Sequence, residues 1–247
     1  MGQARFRFYE ELNDFLPEER RKVEFACDVE GRRSVKDLIE SLGVPHTEIE
    51  VILVNGVSVG FDHFVRDGDR VSVYPMFESL DVTPLLRLRE RPLREPRFAL
   101  DVSLGRLARY LRLCGFDSWY SNAAGDDELA ALSASERRVL LTRDRELLKR
   151  RIVTHGYFVR SRRPREQLAE VCARLELGGL VQPFKRCIRC NGDLRRVEKA
   201  SIVDRLEPET RRHFHDFHEC AACRRIYWRG SHAARMEALV ELARRAG

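Results

Sequence analysis

The chain reads as an α/β protein in three parts, and three observations carry that reading. From Phe98 onward, short apolar runs alternate with amphipathic stretches, the pattern of a parallel sheet with helices on both faces. Before that point, residues 4–80 alternate apolar and polar side chains around tight-turn dipeptides, as short half-buried strands do. Near the end stand two Cys-x-x-Cys pairs, Cys187/Cys190 and Cys220/Cys223. Composition divides the chain into an N-terminal module (1–80), a proline- and arginine-containing linker or basic arm (81–97), the α/β domain (98–180), and a metal-binding module with a C-terminal helix (181–247).

In the first module, Arg5-Phe6-Arg7-Phe8-Tyr9 reads as a strand and Lys22-Val23-Glu24-Phe25 as its hairpin partner. Ser34 is the expected N-cap of a short helix carrying Val35, Leu38, Ile39 and Leu42, with Gly43 at its end. Val51–Val54 forms a buried strand turning at Asn55-Gly56, and Asp67-Gly68-Asp69 turns the chain into Val71–Pro75. This order of elements is that of a β-grasp, or ubiquitin-like, fold. The phrases VILVNGVSV and VRDGDRVSVYP resemble those of ubiquitin-like sulfur carriers. Carrier chemistry needs a free C-terminal Gly-Gly, whereas here the strand runs on through Met76 and Phe77. The resemblance therefore implies the fold, and the expected role is docking, with a protein partner.

No apolar run approaches the roughly 18 residues that span a bilayer, and the N-terminus has no signal-peptide core. Seven cysteines, an odd number including two CxxC pairs, suit zinc and free thiols in a reducing cytoplasm. Charge is split along the chain. Residues 1–80 hold 10 Lys/Arg against 16 Asp/Glu, and residues 81–247 hold 35 against 23. The basic part is expected to meet a polyanion, and the acidic part is not.

In the α/β domain, Phe98-Ala99-Leu100 is a strand, followed by a helix with Leu104, Leu107, Ala108 and Leu111 on one face and a stop at Gly115. Ser118–Tyr120, Val139–Thr142 and Tyr157–Val159 are the next strands, with helices from Asp126, from Asp144 to Arg151, and from Pro164 to about Leu177. Chemistry in such sheets sits beyond the C-terminal strand ends. Asp101, Asp126 and Asp144 fall there, after three different strands. Converging carboxylates need a cation, and oxygen-only ligands select Mg²⁺ or Mn²⁺. Such an ion activates water and neutralises a scissile phosphodiester. The alternative reading of Asp126 and Asp144 is as helix caps, whereas Asp101 has no evident capping role. Ser103 argues against an aspartyl-phosphate enzyme, which carries a second Asp there.

FALDVSLGRLARYLRLCGFD, GDDELAAL and RVLLTRDREL resemble the signatures of the Mut-seven C-terminal RNase family, a PIN-like nuclease group that carries a zinc ribbon and a ubiquitin-like module. The resemblance runs from about residue 97 to 240 and implies a PIN-like fold cleaving single-stranded RNA with a carboxylate-bound metal. It places Asp101, Asp144 and either Asp126 or Asp127 at the metal, with spacing to Leu129 favouring Asp126. PIN sites often hold a fourth acid after the next strand, where this chain has Arg160 and Ser161. Arg106, Arg109, Arg112 and Arg143 are candidates for positioning phosphates, with solvated helix faces as the alternative. The rival function is an RNA-binding or protein-docking adaptor on a nuclease-derived fold.

The two CxxC pairs are separated by 29 residues. Four thiolates satisfy tetrahedral Zn²⁺ completely and leave no position open for catalysis, so the zinc is expected to be structural. His213, His215 and His218 are then not needed as ligands, and Cys27, Cys114 and Cys172 read as core residues. Beyond the second pair, Trp228 could stack on an unpaired base or pack on the ribbon, and His232 could contact phosphate.

Overall fold

The computed structural model describes residues 2–75, 96–230 and 233–246. All but the last two residues of the 81–97 linker lie outside the described residues, as does His232.

The N-terminal unit comprises β1 (Gly2–Phe8), β2 (Phe25–Val29), α1 (Val35–Ser41), β3 (Ile49–Val54), β4 (Val57–Ser58) and β5 (Arg70–Pro75). They form one sheet in the order β2-β1-β5-β3-β4, with β1 and β5 parallel and the other pairs antiparallel. Alternation along β1 buries Ala4, Phe6 and Phe8, and α1 covers them with Val35, Leu38 and Ile39. The Ser34 hydroxyl accepts the Asp37 N–H at 3.1 Å, the expected N-cap. The hairpin expected at Lys22–Phe25 is displaced: β1 pairs with Phe25–Val29, in the register Phe6 to Phe25. Between the strands the chain makes two 3-10 turns, Glu10–Phe15 and Glu18–Arg20. Buried Asn13 organises them, donating to the Phe8 and Glu10 carbonyls at 3.0 and 2.9 Å and accepting the Lys22 N–H at 2.6 Å.

The second unit comprises β6 (Phe98–Leu100), α2 (Gly105–Leu113), β7 (Ser118–Tyr120), α3 (Asp126–Ser135), β8 (Val139–Thr142), α4 (Arg145–Lys149), β9 (Gly156–Phe158) and α5 (Pro164–Arg174). Its four strands are all parallel, in the order β7-β6-β8-β9. The third part adds β10 (Leu194–Val197), α6 (Pro208–His213), β11 (Phe217–Cys220) and β12 (Ile226–Tyr227), an antiparallel sheet in that strand order, and then α7 (Ala233–Ala246).

Helices lie on both faces of the parallel sheet because its inner strands are apolar on both sides. Phe98 and Leu100 face α2, α5 and α7, packing with Leu107, Leu111, Leu168, Val171, Leu239 and Val240. Ala99 and Leu140 face α3 and α4 through Leu129, Leu147 and Leu148. The sequence grouped the C-terminal helix with the metal module, but the apolar stripe of α7 returns to the α/β core. At the end of α2, Gly115 has φ +98°, and a Cβ there would stand 2.1 Å from the Gln182 carbonyl oxygen. Only glycine permits both that turn and that crossing.

Candidate functional site

Because the strands are parallel, their C-terminal ends open on one edge, and the loops there bring three carboxylates to one cavity. Asp101, Asp126 and Asp144 line a space of about 290 Å³ together with Ser103, Thr142 and Arg143. Asp101 follows β6 directly. Its Oδ1 accepts the Ser103 N–H at 2.7 Å and the Ser103 hydroxyl at 2.6 Å, and its Oδ2 accepts the Arg143 N–H at 3.0 Å and the Thr142 hydroxyl. Thr142 is fully buried and in turn accepts the Asp144 N–H at 2.9 Å, so one hydroxyl links the two acidic loops.

Two capping assignments change. Asp101, which has no evident cap role in the sequence, caps the 3-10 turn Val102–Leu104 through the Ser103 N–H. Asp126 is not the N-cap of α3. Gly125 is, and Asp126 begins the helix with an exposed carboxylate on the cavity. Asp144 does cap α4, accepting the Glu146 N–H at 2.8 Å. Asp127 stands outside the cavity lining and pairs with Arg150, which also lies 3.9 Å from Asp126.

The donor set suits a hard divalent cation, being oxygen only. The carboxylates share a cavity without forming a tight shell. Among the described residues, the only group of three or more His, Cys, Asp or Glu ligand atoms drawn within 4.8 Å of one another is the cysteine set. Mg²⁺ keeps several of its waters and takes one or two carboxylates directly, so acids spaced around a cavity of this size fit it through bridging water.

The arginines divide. Arg106 and Arg109 are exposed on α2 and make no hydrogen bond or ion pair among the described residues. Arg143, expected at phosphate, instead points its Nη1 at the carbonyls of Val159 (3.4 Å), Arg160 (3.0 Å) and Ser161, which clamps the loop after β9. Arg112 is neither a phosphate ligand nor solvated. It is 5% exposed, and its guanidinium donates to the carbonyls of Ser118 (2.8 Å), Ile188 (3.3 Å) and Arg189 (2.9 Å), tying the α/β core to the first cysteine loop. Burial holds its pKa below the ordinary arginine value. Thr142, Ser103 and Arg150 were missed as site residues. The phrase Thr-Arg-Asp and the Ser two residues past Asp101 were the available signals.

The four cysteines do converge. Cys187 Sγ lies 3.7 Å from Cys223 Sγ, and Cys190 Sγ lies 3.4 Å from Cys220 Sγ. A tetrahedron with bonds of about 2.3 Å has edges of about 3.8 Å, so these spacings fit one zinc ion. Each pair forms the same knuckle: the Cys190 N–H donates to Cys187 Sγ at 3.5 Å, and the Cys223 N–H to Cys220 Sγ at 3.4 Å. The residue after each pair, Asn191 or Arg224, turns at positive φ. A Cβ on Gly192 would lie 3.0 Å from Cys220 Sγ, so a side chain there would crowd that sulfur. Burial pushes the Cys187 thiol up, but the Tyr227 hydroxyl at 3.0 Å and neighbouring N–H groups outweigh it and bring it down to about 6. Cys190 is pushed up to about 12, by burial first and then by its hydrogen bonds with the Cys220, Cys223 and Cys187 sulfurs.

Trp228 packs on the ribbon. It is half-buried against Ile202, Leu206 and Phe217, with its ring 6.3 Å from that of Phe217. His213 pairs with Glu209, and the His218 ring stacks on Phe184. Cys114 and Cys172 are core residues, while Cys27 is half-buried in β2.

No helix among the described residues is long and apolar enough to cross a membrane. No curated protein matches the chain. Two crystal structures of small archaeal modifier protein 1 from Haloferax volcanii are similar to 31% of this chain, at 15% and 18% identity. They are covered over 100% and 97% of their own lengths, each with a TM-score of 0.26. The family model for the Mut7-C ubiquitin domain matches residues 1–81, and that for the Mut7-C RNAse domain matches residues 96–240. With the RNAse model spanning more than half of its length and the ubiquitin-like module in place ahead of it, the chain belongs to the Mut7-C RNAse domain family.

Proposed function

We propose that this chain is a ribonuclease that hydrolyses phosphodiesters of single-stranded RNA, with Mg²⁺ or Mn²⁺ held by Asp101, Asp126 and Asp144. The observation that carries this reading is the shared cavity: three carboxylates from three parallel strand ends, in a chain of an RNAse family. The ion supplies charge neutralisation at the scissile phosphate and a more acidic water. The chain's own residues fix the acids. Ser103, Thr142 and the Arg143 N–H orient Asp101, and Thr142 holds the Asp144 backbone beside it. Arg106 and Arg109, exposed and without a hydrogen bond or ion pair among the described residues, are read as contacts for the RNA backbone.

The cysteine set is read as a structural zinc site, closed to catalysis by its four sulfurs. Its thiols and the three other free cysteines fit a reducing compartment such as the cytoplasm. The test is cleavage of short single-stranded RNA by zinc-replete protein, lost in EDTA and restored by Mg²⁺ or Mn²⁺. Asp101→Asn and Asp144→Asn should each abolish turnover and retain RNA binding, and Asp126→Asn should cost more than Asp127→Asn. Full cleavage by the Asp101→Asn, Asp144→Asn double variant would rule the site out. Binding without cleavage under either metal would favour the adaptor reading.

A further inference from the structure

The acidic face of the ubiquitin-like unit meets the basic edge of the sheet beside the candidate site. Glu48 is fully buried, accepting the Phe158 N–H at 2.5 Å and pairing with Arg160 at 3.2 Å. Arg160 also pairs with Asp14 at 3.2 Å, and Arg174 pairs with Glu11 at 2.8 Å. His46 Nε2 lies 2.8 Å from the Val153 carbonyl oxygen. Arg145, the residue after Asp144, donates to the carbonyls of Asp14 (3.2 Å) and Phe15 (3.4 Å), with its guanidinium 5.0 Å above the Phe15 ring and 5.5 Å above that of Phe158. Thus the loop that carries Asp144 and the loop after β9 are both held from the other unit. The loop after β8 is held through Arg145. The loop after β9 is held through Arg160, with Arg143 gripping its carbonyls from within.

We propose that the ubiquitin-like unit is a fixed support behind the candidate site, lining none of its cavity, and that Arg145 and Arg160 are positioning residues through which it sets the place of Asp144. The inference rests on the nuclease reading above for the role of Asp144, although the docking itself does not. Arg160, just past β9, thereby serves as an anchor, since it spends its charge on Glu48 and Asp14. Buried guanidinium–carboxylate pairs with aromatic cover are the contacts that lose most when one partner is removed.

The test uses the full-length, zinc-replete chain with Arg145→Met, which keeps the stem and removes the donors, and Asp14→Ala, an exposed change that touches no core. Glu11→Gln is the control, since it removes the charge from an interface pair whose partner, Arg174, lies on α5 and not in either loop. Hydrogen exchange across 142–147 and 158–161 and Mn²⁺ binding by electron paramagnetic resonance are the readouts. Arg145→Met should speed exchange at 142–147 and weaken Mn²⁺ binding by about tenfold each, the factor that loss of one to two net hydrogen bonds brings. Asp14→Ala should speed exchange at 158–161, and Glu11→Gln should alter neither segment. Where cleavage is followed, kcat should fall more than KM rises. Unchanged exchange in both variants, or equal loosening by Glu11→Gln, would overturn the proposal. If the unaltered protein binds no Mn²⁺, the nuclease reading fails, and exchange alone decides this one.

Discussion

Asp117→Ala tests how the α/β core holds the cysteine module. The Asp117 carboxylate accepts from Arg138 at 2.7 and 3.3 Å and from the Asn191 amide at 2.7 Å, with Arg186 at 3.6 Å. Arg138 has only 7% of its side chain exposed, so bulk water cannot take over from a lost carboxylate. Breaking a buried pair by removing one partner costs about 3–5 kcal/mol. Arg138 keeps Glu136 at 2.7 Å and the Phe98 carbonyl at 3.2 Å, which puts the cost at the lower end, about 3 kcal/mol. For a chain of this size that lowers Tm by about 6–12 °C. Since Asn191 directly follows Cys190, the same change should quicken zinc release. Asp117→Asn keeps one acceptor and loses the charge, so its loss should be smaller. Calorimetry gives the first number and a chelating dye the second. A Tm within about 2 °C of the parent, less than 1 kcal/mol on this scale, would refute the anchoring role.

The pH dependence follows from the same residue. Burial raises the Asp117 pKa, but the bonds from Arg138 and Asn191 outweigh it and hold it below its ordinary 3.8. A depressed carboxylate adds stability above the unfolded value and loses it as pH falls through the folded one, so the Tm gap between parent and Asp117→Asn should close below about pH 4. Purified protein should carry one equivalent of zinc by elemental analysis, and Cys190→Ala should lose it and expose residues beyond 181 to proteolysis; metal-free parent protein with the ribbon intact would contradict this. Removing Arg106 and Arg109 together should weaken single-stranded RNA binding and flatten its log–log salt slope by about 1.4, or about 0.7 per phosphate contact, and an unchanged slope would place the RNA elsewhere.

What was legible in the sequence is what local pattern encodes. The alternation in β1, the cap at Ser34, the apolar strands at Phe98 and Val139 and the repeated CxxC all concern residues within a turn or two of each other. Lys22–Phe25 had the right alternation but the wrong assignment, because Asn13, nine residues before Lys22, fixes where the strand starts. The three strand-end acids were legible from topology alone. Their support was not: the Thr142 hydroxyl reaches Asp101 across 41 positions, and nothing near either residue in the chain announces it. Trp228 carried two readings in the sequence, and its surroundings in the ribbon core could not be read from Arg-flanked aromatics.

The arginines show the same limit most plainly, and they change what the charge split means. Arg's planar fork of donors suits carbonyl clamps and carboxylates as well as phosphates. Arg112 and Arg143 are spent on backbone carbonyls, Arg138 on Asp117, Arg145 on the Asp14 and Phe15 carbonyls, and Arg160 and Arg174 on acids of the N-terminal unit. All six lie in the basic two-thirds of the chain, and each already spends donors or charge on a partner within the chain. The acids opposite them, Glu11, Asp14 and Glu48, belong to the acidic first third. Part of the split is therefore self-complementary and serves to join the two units. An RNA footprint has to be drawn from the remaining basic residues, beginning with Arg106 and Arg109, and it is smaller than the net charge of the C-terminal region implies.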